Sequence, residues 1–108
     1  MGGVYNGNIN VQVQNITPSY NCNVNSVNSS AVEILLIPSN PLRKGIIIYN
    51  QSAFKLNIKF GSGVTDQSFT IQLLPGSIYE MSQTILYAGD IFAVWDEADG
   101  HAHITELA

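Results

Sequence analysis

Charged side chains are scarce in this chain, and none occurs before Glu33. Asp, Glu, Lys and Arg make up 11% of its 108 residues, against about 25% in typical soluble domains. The opening stretch consists mainly of Asn, Gln, Ser and Val, whereas a disordered tail is usually rich in charge and poor in β-branched residues. We therefore expect this segment to lie on another protein surface, which indicates assembly rather than catalysis.

Basic residues are the scarcest charged group. Four Lys and Arg stand against eight Asp and Glu, which gives a net charge of −4. Only Arg43 and Lys44 are adjacent to each other. Because phosphate contacts dominate the affinity of proteins for nucleic acids, the sequence predicts no nucleic-acid partner.

Cysteines and long apolar runs are also lacking. Cys22 is the single cysteine, which excludes an intramolecular disulfide and a zinc site built from several cysteines. No apolar run approaches the ~20 residues that a membrane helix requires. The N-terminus has neither the basic region nor the apolar run of a signal peptide. We expect no membrane partner and no secretion.

Helical periodicity is absent as well, and after residue 30 the pattern is one of short strands between turns. Leu56, Ile58 and Phe60 alternate with polar residues, as expected for a strand with one buried face. The predicted strands span residues 31–37, 45–49, 54–60, 69–73, 78–81, 84–87, 91–95 and 101–107. About seven or eight short antiparallel strands at this spacing predict an all-β body over residues 31–108, a single jelly-roll-like β-sandwich or a small barrel.

Residues 1–30 are predicted to form an extended arm. Ile9, Val11 and Val13 alternate with amide side chains, which is typical of a half-buried strand. The arm's sizeable apolar side chains would contribute roughly 13–27 kcal/mol if fully buried, whereas fixing its backbone costs about 30–60 kcal/mol. The arm therefore requires a host strand from another chain. Its predicted interface residues are Tyr5, Ile9, Val11, Val13, Ile16 and Tyr20.

A group of acids and histidines near residue 100 is the strongest candidate for a metal site in the sequence. His101 and His103 are two residues apart on a predicted strand, so their side chains share a face, as two metal ligands would. Asp96 and Asp99 lie in the preceding turn, and the spacing matches no EF-hand loop. The pattern favours a solvated hairpin tip with two edge-strand histidines, and it leaves ion binding by these four residues undecided.

No arrangement typical of an enzyme is present in the sequence. A nucleophilic site requires a histidine positioned beside Ser, Cys or Thr, and no nucleophile-elbow motif occurs. Glu80 could be combined with Asp90 or Asp96 as a carboxylate pair, but any set of acids allows such a choice. The sequence therefore predicts a protein that is not an enzyme, with no cofactor and no small-molecule ligand.

The body carries its own candidate contact residues. The run around Ile47 is apolar on both faces, which favours a central strand or a subunit contact. Arg43 is open to three interpretations, namely a turn cap, an intersubunit ion pair or a solvated turn. Aromatic side chains in strands more often serve in cores or interfaces than in sugar binding. The predicted body interface residues are Arg43, Ile47 and Tyr49, and the candidate sugar platforms are Tyr49, Tyr79, Tyr87 and Trp95.

Residues 31–107 resemble small all-β virion modules of tailed bacteriophages. The resemblance is carried by an ordered set of segments, each of which alone is a common turn or strand. These segments are 40–52 (NPLRKGIIIYNQS), 56–63 (LNIKFGSG), 74–80 (LPGSIYE), 87–91 (YAGDI), 95–100 (WDEADG) and 104–107 (ITEL). The resemblance excludes the arm.

The resemblance implies a structural virion protein without enzymatic activity, most similar to head decoration (cement) proteins. Such proteins commonly form trimers on the capsid exterior and lash adjacent capsomers together. We therefore expect a capsid decoration protein that clamps neighbouring capsomers through its arm and a trimeric body. Its expected partners are the major capsid protein and copies of itself. Its expected location is the exterior of the virion capsid, after synthesis in the host cytoplasm.

The same resemblance allows a second function. Small tail, fibre or baseplate modules share these features and bind host glycans or other virion proteins. The arm favours the head, because a lashing protein needs a compact body and an extended segment that reaches a neighbour.

Overall fold

The computed structural model describes residues 20–108. This part of the chain contains eight strands and a single turn of 3-10 helix, Gln83–Ile85, between the sixth and seventh strands. No helix among these residues is long and apolar enough to cross a membrane. The strands are β1 Cys22–Asn28, β2 Ile34–Ile37, β3 Gly45–Ser52, β4 Leu56–Phe60, β5 Ile71–Leu73, β6 Ile78–Met81, β7 Ile91–Trp95 and β8 Gly100–Leu107.

The strands form two four-stranded antiparallel sheets. The first sheet has the order β1-β8-β3-β6, and the second has the order β2-β7-β4-β5. Every pairing between neighbouring strands is antiparallel. The prediction of an all-β body of seven or eight short antiparallel strands is confirmed.

The hydrophobic core lies between the two sheets, and the alternation of side chains along each strand determines what enters it. In β3, Ile46 and Ile48 are buried while Ile47 between them is half-buried. Trp95 of β7 is 1% exposed and fills the opposite side. Full burial of an Ile side chain contributes about 1.5–3 kcal/mol. The remaining buried apolar residues of the core are Leu36, Ile37, Leu56, Ile58, Leu73, Met81, Ile91, Ala93, Ala102 and Ile104.

The strand expected over residues 84–87 is wrong. The chain there forms the 3-10 turn Gln83–Ile85 and then an irregular segment. Ile85 and Leu86 are 69% and 42% exposed and do not face the core, whereas Tyr87 packs against it. The backbone groups of Tyr87 are taken by side chains: its N–H donates to Met81 Sδ at 3.4 Å, and its carbonyl accepts from Arg43 at 2.7 Å. These bonds replace the ladder that a strand would need.

The boundary predicted between arm and body at residue 30 is also displaced. Strand β1, Cys22–Asn28, pairs with β8 along its whole length, from Cys22 opposite Leu107 to Asn28 opposite His101. The sequence predicts that the arm pairs with a strand of another chain. For residues 22–28 the partner is instead β8 of the same chain. Residues 22–28 therefore belong to the body, and the prediction for residues 1–19 lies outside the described residues.

Candidate functional site

The solvent-facing side of the first sheet, which we call the outer face, carries side chains from all four of its strands. Register places Tyr49 of β3 between His103 of β8 and Ile78 of β6. The neighbouring row has Ile47 between Thr105 and Glu80 by the same register. The described outer-face residues are Cys22, Val24, Ser26, Asn28, Gly45, Ile47, Tyr49, Gln51, Ile78, Glu80, His101, His103, Thr105 and Leu107.

The outer face is apolar at its centre and nearly free of charge. Val24 and Ile78 are 68% and 63% exposed, and Ile47 and Tyr49 between them are half-buried. Glu80 is the single acidic or basic residue among the outer-face positions, histidines aside. Exposed apolar clusters of this kind mark sites of protein contact. The structure thus places two of the three predicted body interface residues, Ile47 and Tyr49, on one solvent-facing surface.

Strand β1 supplies a free edge beside this face. It pairs with β8 on one side, and on its other side no strand pairs with it within residues 20–108. Its seven residues carry no charge, and six of them are exposed. Natural edge strands are usually protected by charge, proline or a bulge, because an unprotected edge accepts further strands. The edge of β1 is therefore competent to pair with another chain.

Two histidines and a glutamine converge at one end of the outer face. His101 Nε2 lies 3.1 Å from His103 Nε2 and 3.1 Å from Gln51 Oε1. His103 Nε2 lies 2.5 Å from the same Gln51 oxygen. The ring of Tyr49 stacks on His103, with centroids 6.1 Å apart and planes inclined by 11°. We call His101, His103 and Gln51 the histidine cluster.

The predicted carboxylates do not join the histidine cluster. Within residues 20–108 no group of three or more His, Cys, Asp or Glu side chains is arranged to hold a metal ion. Asp96 instead faces Lys55, whose Nζ lies 4.0 Å from its carboxylate, and both side chains are substantially exposed. The third member of the cluster is Gln51, which no sequence pattern singles out, because its register opposite His101 depends on the pairing of β3 with β8.

Arg43 lies inside the chain's own fold, and its prediction as a subunit contact is wrong. Its side chain has no exposed surface. Its Nε donates to Glu106 at 2.7 Å, and its two terminal nitrogens donate to the carbonyl oxygens of Tyr87, Gly89 and Pro38. A buried guanidinium is tolerated only when paired and hydrogen-bonded in this way. The ion pair is therefore intramolecular and ties β8 to two loops.

Trp95 and Tyr87 are unsuited to sugar stacking. Trp95 is buried, and its indole N–H donates to Asn50 Oδ1 at 3.2 Å. The ring of Tyr87 is stacked on Phe60, with centroids 4.7 Å apart. Tyr79 is partly buried as well, and this burial raises the pKa of its phenol above the usual 10.0. Of the four candidate platforms, Tyr49 alone lies on the outer face.

A cleft on the second sheet holds polar groups that sequence reasoning missed. Its volume is about 480 Å³, and Glu33, Asn57, Asp66 and Asp96 contribute to its walls. Asn57 is 1% exposed; its Oδ1 accepts from Gln72 at 2.8 Å, while its Nδ2 has no hydrogen-bond partner among residues 20–108. An isolated asparagine within an apolar strand gives no sequence signal of such a role.

The predicted arm residues are almost all outside the described part of the chain. Tyr5, Ile9, Val11, Val13 and Ile16 lie there, so their predicted contacts stay predictions. Tyr20 is described: it is 36% exposed, and its hydroxyl accepts a hydrogen bond of 2.9 Å from Gln83 Nε2.

Comparison of the chain with protein-family models, with curated proteins and with solved structures finds no significant match.

Proposed function

We propose that the chain is a non-enzymatic structural virion protein of a tailed bacteriophage, a capsid decoration (cement) protein on the capsid exterior. The observation that carries this proposal is the free edge of β1 next to an outer face with almost no charge. An uncharged sheet edge can accept a strand from another chain, and an exposed apolar face is a surface on which proteins associate. The resemblance of residues 31–107 to virion modules points the same way.

The free edge and the arm fit a single mode of attachment. In β-augmentation an extended segment adds to an exposed sheet edge, where main-chain hydrogen bonds provide affinity and alternate side chains provide specificity. The alternation of Ile9, Val11 and Val13 with amide residues suits such a strand. We propose that residues 1–19 pair with a neighbouring capsid or decoration chain, and that the edge of β1 accepts a strand in return.

The body contact is proposed to use the outer face. Ile47, Tyr49 and Ile78 form its apolar centre, and three copies meeting there would build the trimer that the resemblance implies. Many modest contacts of this kind, repeated over a capsid, raise the overall affinity through avidity.

We further propose that the sandwich is a jelly roll. The orders β1-β8-β3-β6 and β2-β7-β4-β5 place the first described strand beside the last, and they send consecutive strands to opposite sheets at every step except from β4 to β5. Two wound Greek keys produce such an order, and eight-stranded sandwiches of this type occur among viral capsid domains. A shared fold is compatible with many functions, so the surfaces above carry the argument.

Capsids assembled without the protein test the proposal. The full chain should bind them, and deletion of residues 1–19, which leaves β1 intact, should weaken binding strongly. A double variant of the free edge, Val24→Lys with Ser26→Lys, should also weaken binding, because charge on an edge strand opposes strand addition.

The control is Leu35→Lys, which places one lysine on an exposed residue of β2, an edge strand of the second sheet. This variant should bind like the unmodified chain. If the deletion and the β1 double variant both bind as tightly as the unmodified chain, the proposed attachment is refuted.

A second candidate function is glycan binding by a tail, fibre or baseplate module, and the cleft on the second sheet favours it. The unpartnered Nδ2 of Asn57 and the carboxylates of Glu33 and Asp66 are groups that bind sugar hydroxyls. A glycan array would decide: a specific signal lost in Asn57→Leu, together with no binding to capsids, would replace the decoration hypothesis by this one.

A further inference from the structure

The three short polar contacts of the histidine cluster cannot all be hydrogen bonds, because the three atoms carry too few hydrogens. These atoms, two Nε2 and one Oε1, form a triangle with sides of 3.1, 3.1 and 2.5 Å. Each neutral imidazole nitrogen carries at most one hydrogen, and an amide oxygen carries none. If both nitrogens donate to Gln51, the contact between His101 and His103 is unbonded. If one histidine donates to the other, the acceptor nitrogen has no hydrogen left for Gln51.

Turning the Gln51 amide over leaves the same deficit. Its nitrogen can then donate to both imidazole lone pairs, and those two lone pairs still face each other across 3.1 Å. At most two of the three contacts are hydrogen bonds in any arrangement of neutral side chains. A cation coordinated by all three atoms, and lying above the plane of the triangle, would satisfy all three groups at once.

The dimensions of the triangle suit a metal ion. Ligand distances of about 2.0–2.2 Å to a divalent zinc ion imply separations between neighbouring ligand atoms of about 2.8–3.1 Å in octahedral geometry and about 3.3–3.6 Å in tetrahedral geometry. The two 3.1 Å contacts of His101 fall in the octahedral interval, and the shorter contact of His103 needs a small rotation of the exposed Gln51 amide.

The scaffold holds the ligands in place without using the positions that a metal would occupy. His101 and His103 project from the same face of β8 on either side of buried Ala102, and Gln51 lies opposite His101 on the adjacent strand. The Tyr49 ring stacks on His103 and limits its rotation. The cluster lies on the solvent-facing side of the sheet, so further coordination positions remain open to water or another ligand.

We propose that His101, His103 and Gln51 form a binding site for a late first-row divalent metal ion such as Zn²⁺, Ni²⁺ or Cu²⁺. Imidazole nitrogen is a preferred ligand of these ions. The amide oxygen of Gln51 supplies the third position, and solvent supplies the rest. The site does not depend on the proposed strand pairing, because none of its three ligands belongs to β1 or to residues 1–19; the ligands lie at one end of the outer face.

Titration calorimetry of the full chain with Zn²⁺ tests the site directly. One equivalent of Zn²⁺ should bind per chain, and His101→Ala and His103→Ala should each weaken binding by about tenfold or more, because each removes one of two strong ligands. The chain contains only these two histidines and one cysteine. Cys22→Ser is therefore the matched control, and it should leave the affinity unchanged.

Gln51 is tested by a pair of variants. Gln51→Leu should weaken Zn²⁺ binding, and Gln51→Glu should strengthen it, because a carboxylate is a better ligand than an amide. Equal affinity in both variants would remove Gln51 from the site. Loss of binding in Cys22→Ser, or its retention when both histidines are replaced, would overturn the proposal as a whole.

A spectroscopic measurement separates metal binding from an effect on folding. Co²⁺ should give a visible absorption band on addition to the full chain, and this band should disappear in His103→Ala while the far-ultraviolet circular dichroism remains that of the β-sandwich. An unchanged band in that variant would contradict the assignment. No band at saturating Co²⁺, with no heat on adding Zn²⁺, would likewise overturn it.

Discussion

The Arg43 corner and the histidine cluster are both built from residues far apart in the sequence, yet their hydrogen-bonding groups are paired to different degrees. At Arg43 the guanidinium meets one carboxylate and three carbonyl oxygens, and no part of the side chain is exposed. At His101, His103 and Gln51, three contacts share too few hydrogens, and the side chains border solvent. A fully paired, buried cluster stabilises the fold. An underpaired cluster at the surface is available to a ligand.

The largest effect should follow from removing the charge at the Arg43 corner. Arg43→Met should reduce the free energy of unfolding by about 3–5 kcal/mol, because it leaves Glu106 partly buried without its partner. Chemical denaturation measures this loss. The double variant Arg43→Met with Glu106→Leu is the control and should recover the part of the loss that comes from the unpaired carboxylate, while the carbonyls of Pro38, Tyr87 and Gly89 stay without their donor. A loss below about 1 kcal/mol for the single variant is the range of surface ion pairs, and it would show that Arg43 does not stabilise the fold in the proposed way.

The buried asparagines should give a smaller effect that separates paired from underpaired amides. Asn50 is fully buried, and its amide bonds to the carbonyls of Phe54 and Leu73 and to the Trp95 indole. Asn50→Ala should therefore cost about 1–3 kcal/mol for the partners left unsatisfied.

The matched variant is Asn57→Ala, which removes an equally buried amide with one bonded and one unbonded atom. It should cost less than Asn50→Ala in the same denaturation experiment. The opposite ranking would show that hydrogen-bond pairing is not what distinguishes the two sites.

The histidine cluster should contribute little to stability when no metal is added. His103→Ala in the presence of a chelator should change the free energy of unfolding by no more than about 0.5 kcal/mol, as is usual for surface substitutions. With saturating Zn²⁺ the unmodified chain should gain stability, because an ion that binds the folded state alone shifts the equilibrium toward it. Thermal unfolding with and without Zn²⁺ measures both. A large loss in chelator would make the cluster structural, like the Arg43 corner.

The smallest effect is expected at the exposed pair of Lys55 and Asp96. Their charged atoms are 4.0 Å apart, and the side chains are 43% and 38% exposed. Solvent screening reduces such pairs to a few tenths of a kcal/mol, so Lys55→Ala should cost about 0.2 kcal/mol. A double-mutant cycle with Asp96→Ala should return a coupling energy near zero, and a coupling comparable to the Arg43 effect would contradict this ranking.

Single strands and tight turns could be predicted from the sequence, because the residues that determine them are neighbours along the chain. The alternation around Leu56 and Ile58 identified β4, and the Asp99-Gly100 turn marked the start of β8. Both signals depend on neighbouring residues: one buried face in the first case, a tight turn in the second. The general architecture followed because short, regularly spaced strands can bury their apolar faces only by packing sheet against sheet.

Features that depend on distant partners could not be predicted in the same way. Arg43 finds its carboxylate 63 residues along the chain, at Glu106, and nothing around Arg43 indicates which acid it meets. Gln51 joins His101 across 50 residues of sequence. The sequence predicts residues 22–28 as part of the arm because they share its uncharged, Asn-rich composition, and nothing near them indicates that their partner is β8, at the far end of the body.

The pairing of β1 with β8 has a mechanical consequence. Asn21 and Ala108 exchange two backbone hydrogen bonds, of 2.7 and 3.0 Å, so the N-terminal end of β1 lies at the corner of the body where residue 108 lies. A force that pulls residue 21 away from residue 108 loads the antiparallel ladder at one end. The bonds then break one pair at a time, starting beside Cys22 and Leu107, instead of all resisting together. Tension on the arm would release β1 at low force and leave the other seven described strands in place.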